Sequence, residues 1–295
     1  MKITEGYMPF LGYKTYFRVV GESTTGKLPL LLLHGGPGST HNYFEVLDVL
    51  ANEGRQIISY DQIGCGNSFV DNHPELWNST TWLNELEALV QYLGIDKCHL
   101  LGQSWGAMMI VEELITRQPA FVASAILSSG TCSCNLWSRE QHRLISFMPA
   151  EEQEAIKQAE RSGNFESAEY IKANDHYTQL YACDKPTSNS PECLQRKKHF
   201  GTEAYNVAWG PNEYTPLGNL KAFEYTDRLA EITQPCLIIS GTNDESTPLI
   251  SKTMFDRIPN AECELLEGAR HMTFVDRTSD YCRIINDWAL RHDND

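Results

Sequence analysis

The sequence predicts an α/β fold, with a mostly parallel sheet of eight strands that is covered by helices on both faces. Solid apolar runs and amphipathic helical runs alternate over residues 28–130, and this order is typical of parallel strands joined by helices. The apolar runs show no polar alternation, as expected for strands that are buried on both faces. Strand-like runs return after residue 215, so the same sheet should continue there.

The elements can be assigned in order along the chain. Residues 2–22 alternate apolar and polar side chains and predict an antiparallel hairpin. The run LPLLLLHGG predicts a buried strand, and THNYFEVLDVLANEG predicts a helix because its apolar residues recur at helical spacing. A second strand and helix are predicted over RQIISYDQIG and TTWLNELEALVQYLG. The strands CHLLG and VASAILSSG follow, with the helix WGAMMIVEELITRQ between them in the chain. The strands PCLIISG and AECELLEG, and a helix over 277–292, complete the chain.

The strand–helix pattern breaks over residues 131–215, where no strand-like run occurs. Polar, helix-prone segments separated by Gly, Pro and Ser fill this stretch. We therefore expect a core formed by residues 1–130 and 216–295, with an inserted helical cap over 131–215. The apolar side chains expected to form the interior of the cap are Leu144, Ile145, Phe147, Tyr170, Ile171, Tyr177 and Leu180.

The composition limits the classes of function. With 24 basic and 39 acidic residues the formal charge is −15, so nucleic acid would be repelled and is not an expected partner. The first residues lack an apolar secretion segment, and no stretch approaches the ~18 apolar residues that span a membrane. A cytoplasmic protein with nine reduced cysteines is predicted. No cluster has metal-ligand spacing, so no metal or other cofactor is expected. The sequence indicates no oligomeric state.

The pentapeptide Gly102-Gln103-Ser104-Trp105-Gly106 is the motif that most strongly indicates chemistry. A strand-like run leads into it and a helix-like run follows, which is the context of a nucleophile on a strand–turn–helix elbow. The flanking glycines allow close packing, and the helix N-terminus favours negative charge on the serine. Ser104 is therefore the predicted nucleophile. The alternative is a structural serine in a tight turn.

A serine nucleophile needs a base, and the base needs an acid that orients it. Asp244 follows the strand-like run LIISG, and His271 follows the last strand by a short loop. The chain order Ser104, Asp244, His271 is that of the α/β-hydrolase fold. Asp244 could instead form a local Asx-turn, Glu245 could be the orienting acid, and His271 could be a surface histidine. We prefer Asp244 to Glu245 because its position fits the order.

The oxyanion of an acyl-transfer reaction needs two N–H groups aimed at one point. One is expected from Trp105, the residue after the nucleophile, and the other from Gly36 in the glycine-rich run HGGPG. The alternative for this run is a tight turn selected for packing.

Six motifs spread over essentially the whole chain share a family likeness: LLLHGGPGSTHNYFEVLD, YDQIGCGNS, HLLGQSWGAM, WGPNEYTPLGNL, GTNDESTP and GARHM. Together they resemble the proline iminopeptidases (prolyl aminopeptidases), a branch of the α/β-hydrolase superfamily. The resemblance implies a serine aminopeptidase that releases an N-terminal residue, preferably proline, from short peptides through an acyl-enzyme. It also implies that Ser104, Asp244 and His271 are the catalytic triad, with Gly36 and Trp105 as oxyanion donors.

The same resemblance implies that Glu213, in GPNEYT, and Glu245, in NDEST, bind the ammonium group of the substrate. A buried ammonium needs carboxylate partners. Carboxylates at a fixed distance from the nucleophile would measure the peptide from its N-terminus, so that only the first peptide bond reaches Ser104. The alternative for each glutamate is a solvated loop charge.

Several alternatives remain at the level of sequence. Candidates for a proline-ring pocket are Trp137, Phe147, Tyr205 and Trp209, although aromatic residues in a small cap more often form its interior. A broader aminopeptidase or amino-acid amidase would use the same machinery. A general carboxylester or lactone hydrolase, or a non-catalytic receptor on the same scaffold, are further possibilities. Cys65 is hypothesised to lie near the pocket and to react with thiol reagents.

Overall fold

The computed structural model of the protein describes residues 1–24 and 26–294. One eight-stranded sheet forms its centre, with the strand order β1-β2-β4-β3-β5-β6-β7-β8. β1 and β2 form an antiparallel hairpin, β2 pairs antiparallel with β4, and every other neighbouring pair is parallel. The predicted fold class is therefore confirmed. The strands are β1 (Ile3–Phe10), β2 (Tyr13–Val20), β3 (Leu30–Leu33), β4 (Ile57–Tyr60), β5 (Cys98–Gln103), β6 (Val122–Ser128), β7 (Cys236–Gly241) and β8 (Ala261–Leu266).

Helices connect the strands and pack on both faces of the sheet. None of those in the described part of the chain is both long and apolar enough to cross a membrane. The α-helices are α1 (Ser79–Tyr92), α2 (Trp105–Thr116), α3 (Cys134–Ile145), α4 (Ala150–Ser162), α5 (Ala168–Tyr181), α6 (Glu192–Gln195), α7 (Thr202–Ala208), α8 (Pro248–Phe255), α9 (Thr273–Asp276) and α10 (Thr278–Arg291).

The helix that follows β3 winds as a 3₁₀ helix, His41–Glu53. Four of its six buried residues, His41, Phe44, Leu47 and Leu50, recur at every third position, and Tyr43 and Ala51 lie next to two of them. A helix with three residues per turn stacks such positions in one straight line, so this spacing suits 3₁₀ winding. Shorter 3₁₀ segments are Gly66–Ser68, Pro74–Leu76, Asn219–Ala222 and Thr226–Glu231.

Two buried clusters, one on each face, fix the sheet between its helices. One cluster joins the strands to α1 and α2 through residues such as Trp82 and Leu114. The other joins them to the 3₁₀ helix and α10 through residues such as Leu47 and Trp288. Burial on both faces explains why the central strands are solidly apolar in sequence.

Helices α3–α7 lie between β6 and β7 in the chain, and the end of α3 packs with α4 and α5 around an interior separate from the two sheet clusters. The buried residues of α7 instead belong to the cluster that contains α1 and α2. Of the side chains expected to form the interior of the cap, Leu144, Ile145, Tyr170 and Tyr177 are buried, as predicted. The prediction of burial is wrong for Phe147, Ile171 and Leu180, because their side chains are 69%, 50% and 37% exposed. Adjacent helix positions point about 100° apart, so a residue next to a buried one can face solvent.

Backbone hydrogen bonds join this helical segment to the loops that follow β3, β4 and β8. They pair backbone groups of irregular segments, and of the C-terminal end of α5, that have no partner within a helix or strand. The bonds run from Gly201 N–H to Gly38 O (2.8 Å), Gly66 N–H to His199 O (2.8 Å), His271 N–H to Tyr181 O (3.0 Å) and Met272 N–H to Ala182 O (3.1 Å).

Candidate active site

Ser104 occupies a sharp turn between β5 and α2. Its backbone angles, φ 57° and ψ −118°, are unusual for a residue other than glycine. A Cβ atom on Gly102 would lie 2.2 Å from Gly106 O, and one on Gly106 would lie 2.1 Å from Leu33 O. Both positions must therefore be glycine for α2 to pack this closely against β5 and the end of β3. This geometry is the elbow that the pentapeptide predicts.

Replacing Gly106 by alanine should destabilise the protein by about 3 kcal/mol or more, because the new methyl group would overlap backbone that cannot move aside. The matched control is Gly163→Ala at the end of α4, where φ is 70° and no atom lies within 4 Å of the added Cβ. This control should cost only the ~1–2 kcal/mol of a left-handed backbone position. Urea unfolding of the two variants measures the difference, and equal costs would contradict the packing argument.

A cavity of about 440 Å³ opens in front of the elbow. Four of the residues selected from the sequence line it together: Ser104, His271, Glu213 and Glu245. They come from different parts of the chain, and the parallel strands bring their loops to one edge of the sheet. This is the edge at which α/β proteins bind ligands.

Asp244 and His271 form a buried pair on the loops after β7 and β8. His271 Nδ1 lies 2.9 Å from Asp244 Oδ1. Asp244 also accepts hydrogen bonds from the Ser129 hydroxyl (2.6 Å) and the Ser246 backbone N–H (2.7 Å). The bond from Ser246 is an Asx-turn, so the carboxylate both caps its local turn and holds the imidazole.

The other ring nitrogen of His271 faces Glu245. Nε2 lies 3.5 Å from Glu245 Oε1, and among the described residues no hydrogen bond joins His271 to the Ser104 hydroxyl. Hydrogen bonds of this kind are often long without substrate and tighten in the complex. Burial alone would lower the pKa of His271, but the carboxylates of Glu245 and Asp244 outweigh it and raise that pKa.

The two expected oxyanion donors, Gly36 and Trp105, lie beside Ser104. Among the residues the structure describes, neither Gly36 N–H nor Trp105 N–H donates a hydrogen bond. Gly36 has φ 113°, and a Cβ there would lie 2.6 Å from Gly38 N. The hydroxyl of Tyr43 accepts the N–H of Gly35 (2.5 Å) and donates to Gln103 (2.9 Å), which ties the glycine loop to the elbow.

The two glutamates make one side of the cavity strongly acidic. Tyr205 donates a hydrogen bond to Glu213 Oε1 (2.9 Å), and Tyr177 donates one to Glu245 Oε2 (3.3 Å). Glu245 Oε1 is buried and accepts no hydrogen bond from any residue that the structure describes. Burial raises the pKa of both carboxyl groups. An unpartnered buried oxygen is costly, so a cation that entered here would be bound favourably.

A small compartment of about 10 Å³, lined largely by apolar residues but also by Glu213, adjoins Ser104 and Gly36. Trp137 and Trp209, two of the candidates for a proline-ring pocket, line it and meet edge to face at 6.0 Å. Tyr205 lines the larger cavity instead, and Phe147 is exposed and lines neither space. Trp137 and Trp209 therefore remain candidates for the proline-ring pocket, and Phe147 does not.

Sequence reasoning missed several residues around the cavity. Gln141 donates to the backbone oxygen of Glu245 (2.8 Å) and accepts a hydrogen bond from Tyr177. Lys198 and Cys183 line the cavity wall. No motif marks these residues, because they come from helices and irregular segments with no fixed spacing to the elbow.

Cys65 does not fit the hypothesis of a reactive thiol near the pocket. Its side chain is fully buried, and burial raises its pKa well above the ordinary value. A buried, protonated thiol is a poor nucleophile.

Within residues 1–24 and 26–294, no group of three or more His, Cys, Asp and Glu side chains could hold a metal ion.

The sequence of this chain matches the α/β hydrolase fold family over residues 29–278. A proline iminopeptidase of Clostridioides difficile (strain 630) is 54% identical over 293 residues, which cover 99% of this chain and 100% of the relative. The chain belongs to the proline iminopeptidase family. A second proline iminopeptidase, from Lactobacillus helveticus, is 53% identical over 295 residues, again 99% and 100% of the two chains.

Solved structures agree with this assignment to the proline iminopeptidases. The crystal structure of a proline iminopeptidase from Mycobacterium smegmatis has a TM-score of 0.87 at 30% identity and covers 98% of this chain and 99% of its own. The structure of VinJ has a TM-score of 0.89 at 28% identity, with the same coverage. Fold and family together make this proline iminopeptidase family member a serine hydrolase.

Proposed function

We propose that this protein is a serine aminopeptidase that releases the N-terminal residue, preferentially proline, from short peptides with a free N-terminus. The observation that carries the proposal is the cavity that holds a serine elbow, a His–Asp pair and two glutamates together. Its relatives named proline iminopeptidase support the same activity. The unpartnered oxygen of Glu245 supports a cationic ligand.

In the proposed reaction, Ser104 attacks the carbonyl carbon of the first residue while His271 accepts its proton. Asp244, at 2.9 Å from Nδ1, holds the ring so that Nε2 can face the serine. The N–H groups of Gly36 and Trp105 would then bind the oxyanion. His271 next protonates the leaving amine, and a water molecule repeats the sequence to release the amino acid from the acyl-enzyme.

Glu213 and Glu245 are proposed to hold the substrate ammonium group. The ammonium would supply the missing partner of Glu245 Oε1 and compete with the 3.5 Å contact between that oxygen and His271 Nε2. Substrate binding would thereby free the imidazole for Ser104. The compartment lined by Trp137 and Trp209 is proposed to receive the proline ring, because it is lined largely by apolar residues and adjoins the nucleophile.

We further propose the division of the chain into a hydrolase core, 1–130 and 216–295, and a helical cap, 131–215. The cap would cover the cavity and exclude water from the acyl-enzyme. A cytoplasmic location, with no nucleic-acid partner, is consistent with the charge of −15.

The test is turnover of proline, alanine and leucine anilides, each with a free and an acetylated amine. The free proline anilide should be cleaved fastest, and acetylation should abolish its cleavage because the ammonium is lost. If alanine or leucine anilide led with the amine still required, the protein would be a broader aminopeptidase. Equal rates for free and acetylated anilides, with a short-chain ester cleaved as fast, would overturn the proposal in favour of a general esterase.

A further inference from the structure

Lys198 is a cationic side chain in the wall of the cavity, and the proposed reaction does not use it. It lies between α6 and α7, and its Nζ lies 5.0 Å from the centroid of the Tyr43 ring. Among the described residues, no carboxylate forms an ion pair with it, although the chain carries 39 acidic residues. Burial lowers the pKa of Lys198 because it removes water from the ammonium group. An anion bound there would replace that lost solvation.

The negative and positive charges of the cavity lie on different walls. Among the described residues, neither Glu213 nor Glu245 forms an ion pair with Lys198, although all three side chains line one space.

Cys183 lies in the same wall, and the charges of both Glu245 and Lys198 affect the pKa of its thiol. Burial raises the pKa of its thiol, Glu245 raises it further, and Arg270 and Lys198 lower it. The cavity thus has an acidic side and a basic side. A zwitterion, with an ammonium at one end and a carboxylate at the other, matches this distribution of charge.

Lys198 also lies close to the nucleophile. The Tyr43 ring beneath its ammonium group is hydrogen-bonded to Gly35 and Gln103, which is the residue before Ser104. An extended peptide advances about 3.3–3.6 Å per residue. The terminal carboxylate of a dipeptide or tripeptide is thus one or two such steps beyond the scissile carbonyl, and Lys198 lines the same cavity as Ser104.

We propose that Lys198 binds the C-terminal carboxylate of the substrate, so that free di- and tripeptides are preferred to amidated or longer peptides. This subsite rests on the proposed function, because the ammonium end must be held at the glutamates. The peptide would then be fixed at both ends, with its first bond at Ser104. A charged pair in a partly desolvated site favours such binding more than it would in water.

The experiment compares kcat/KM for Pro-Ala and Pro-Ala-NH₂, which differ only in the carboxylate. The wild type should prefer Pro-Ala by about 10- to 100-fold, chiefly through KM. Lys198→Met should reduce this preference to about 1, and Lys198→Gln provides a second neutral variant should the first fold poorly. Lys198→Arg should retain most of the preference. Lys197→Met is the matched control, because Lys197 is the exposed neighbouring lysine.

The inference alone would be overturned by a wild type that cleaves both dipeptides equally well, or by a neutral variant that keeps the wild-type preference. A loss of preference in Lys197→Met as large as that in Lys198→Met would also overturn it, since the effect would then be one of general surface charge. Failure of the wild type to cleave either dipeptide or proline anilide would instead overturn the proposed function, and this subsite with it.

Discussion

Replacing Ser104 by alanine should lower kcat/KM for proline anilide by at least about 10⁴-fold, the scale seen when a serine hydrolase loses its nucleophile. Cys183 also lines the cavity, but burial raises the pKa of its thiol, so it should not substitute for the serine. Alanine keeps the Cβ atom and the same backbone at φ 57°, so the fold should be unaffected. Anilide turnover and the thermal midpoint together measure the two effects.

Ser39→Ala is the matched control for this loss, since Ser39 lines the same cavity but lies outside the elbow. It should change kcat/KM by less than about threefold. If the Ser104 variant, purified free of wild type, retained a tenth of the activity, Ser104 would not be the nucleophile and the elbow would be a structural turn only.

Replacing Glu245 by glutamine should lower kcat/KM for free proline anilide by about 10²–10³-fold, because a desolvated charge pair with the substrate ammonium is lost. The acetylated anilide has no ammonium, so the ratio of kcat/KM for the free anilide to that for the acetylated anilide should also fall. Glu264→Gln is the control, since this glutamate lies exposed on β8. A fall of less than threefold for the free amine would remove Glu245 from the ammonium site.

The same variant should also change the pH dependence. Burial lowers the pKa of His271, but Glu245 and Asp244 together raise it above the ordinary value. The base must be neutral to accept a proton, so the acidic limb of kcat/KM lies correspondingly high in the wild type. Removing the charge of Glu245 should move this limb to lower pH, measured with a neutral short-chain ester. A limb that moved upward would contradict the electrostatic assignment.

The sheet and the positions of the elbow, Asp244 and His271 could be predicted because each of these residues follows a strand. Parallel strands end at one edge of the sheet, so a residue just after a strand has a known location before any coordinates exist. The winding of His41–Glu53 was less predictable, since the spacing that indicates a helix does not by itself separate three from 3.6 residues per turn.

The helical segment between β6 and β7 was harder to predict. Its apolar content indicated that the segment packs, but Phe147, between α3 and α4, and Ile171, on α5, face solvent. Lys198 and Cys183 reach the cavity through tertiary packing alone. Their positions depend on how the helices pack over the sheet, and no local sequence pattern predicts that packing.

The backbone hydrogen bonds between the helical segment and the strand-end loops bear on how this enzyme could diversify. Tyr181 and Ala182 accept the N–H groups of His271 and Met272, so the segment helps to position the proposed base. A foreign segment transplanted between β6 and β7 would have to reproduce these acceptors as well as a new specificity. New substrate ranges in this lineage should therefore arise more readily by side-chain exchange along the cavity wall than by replacement of the whole module.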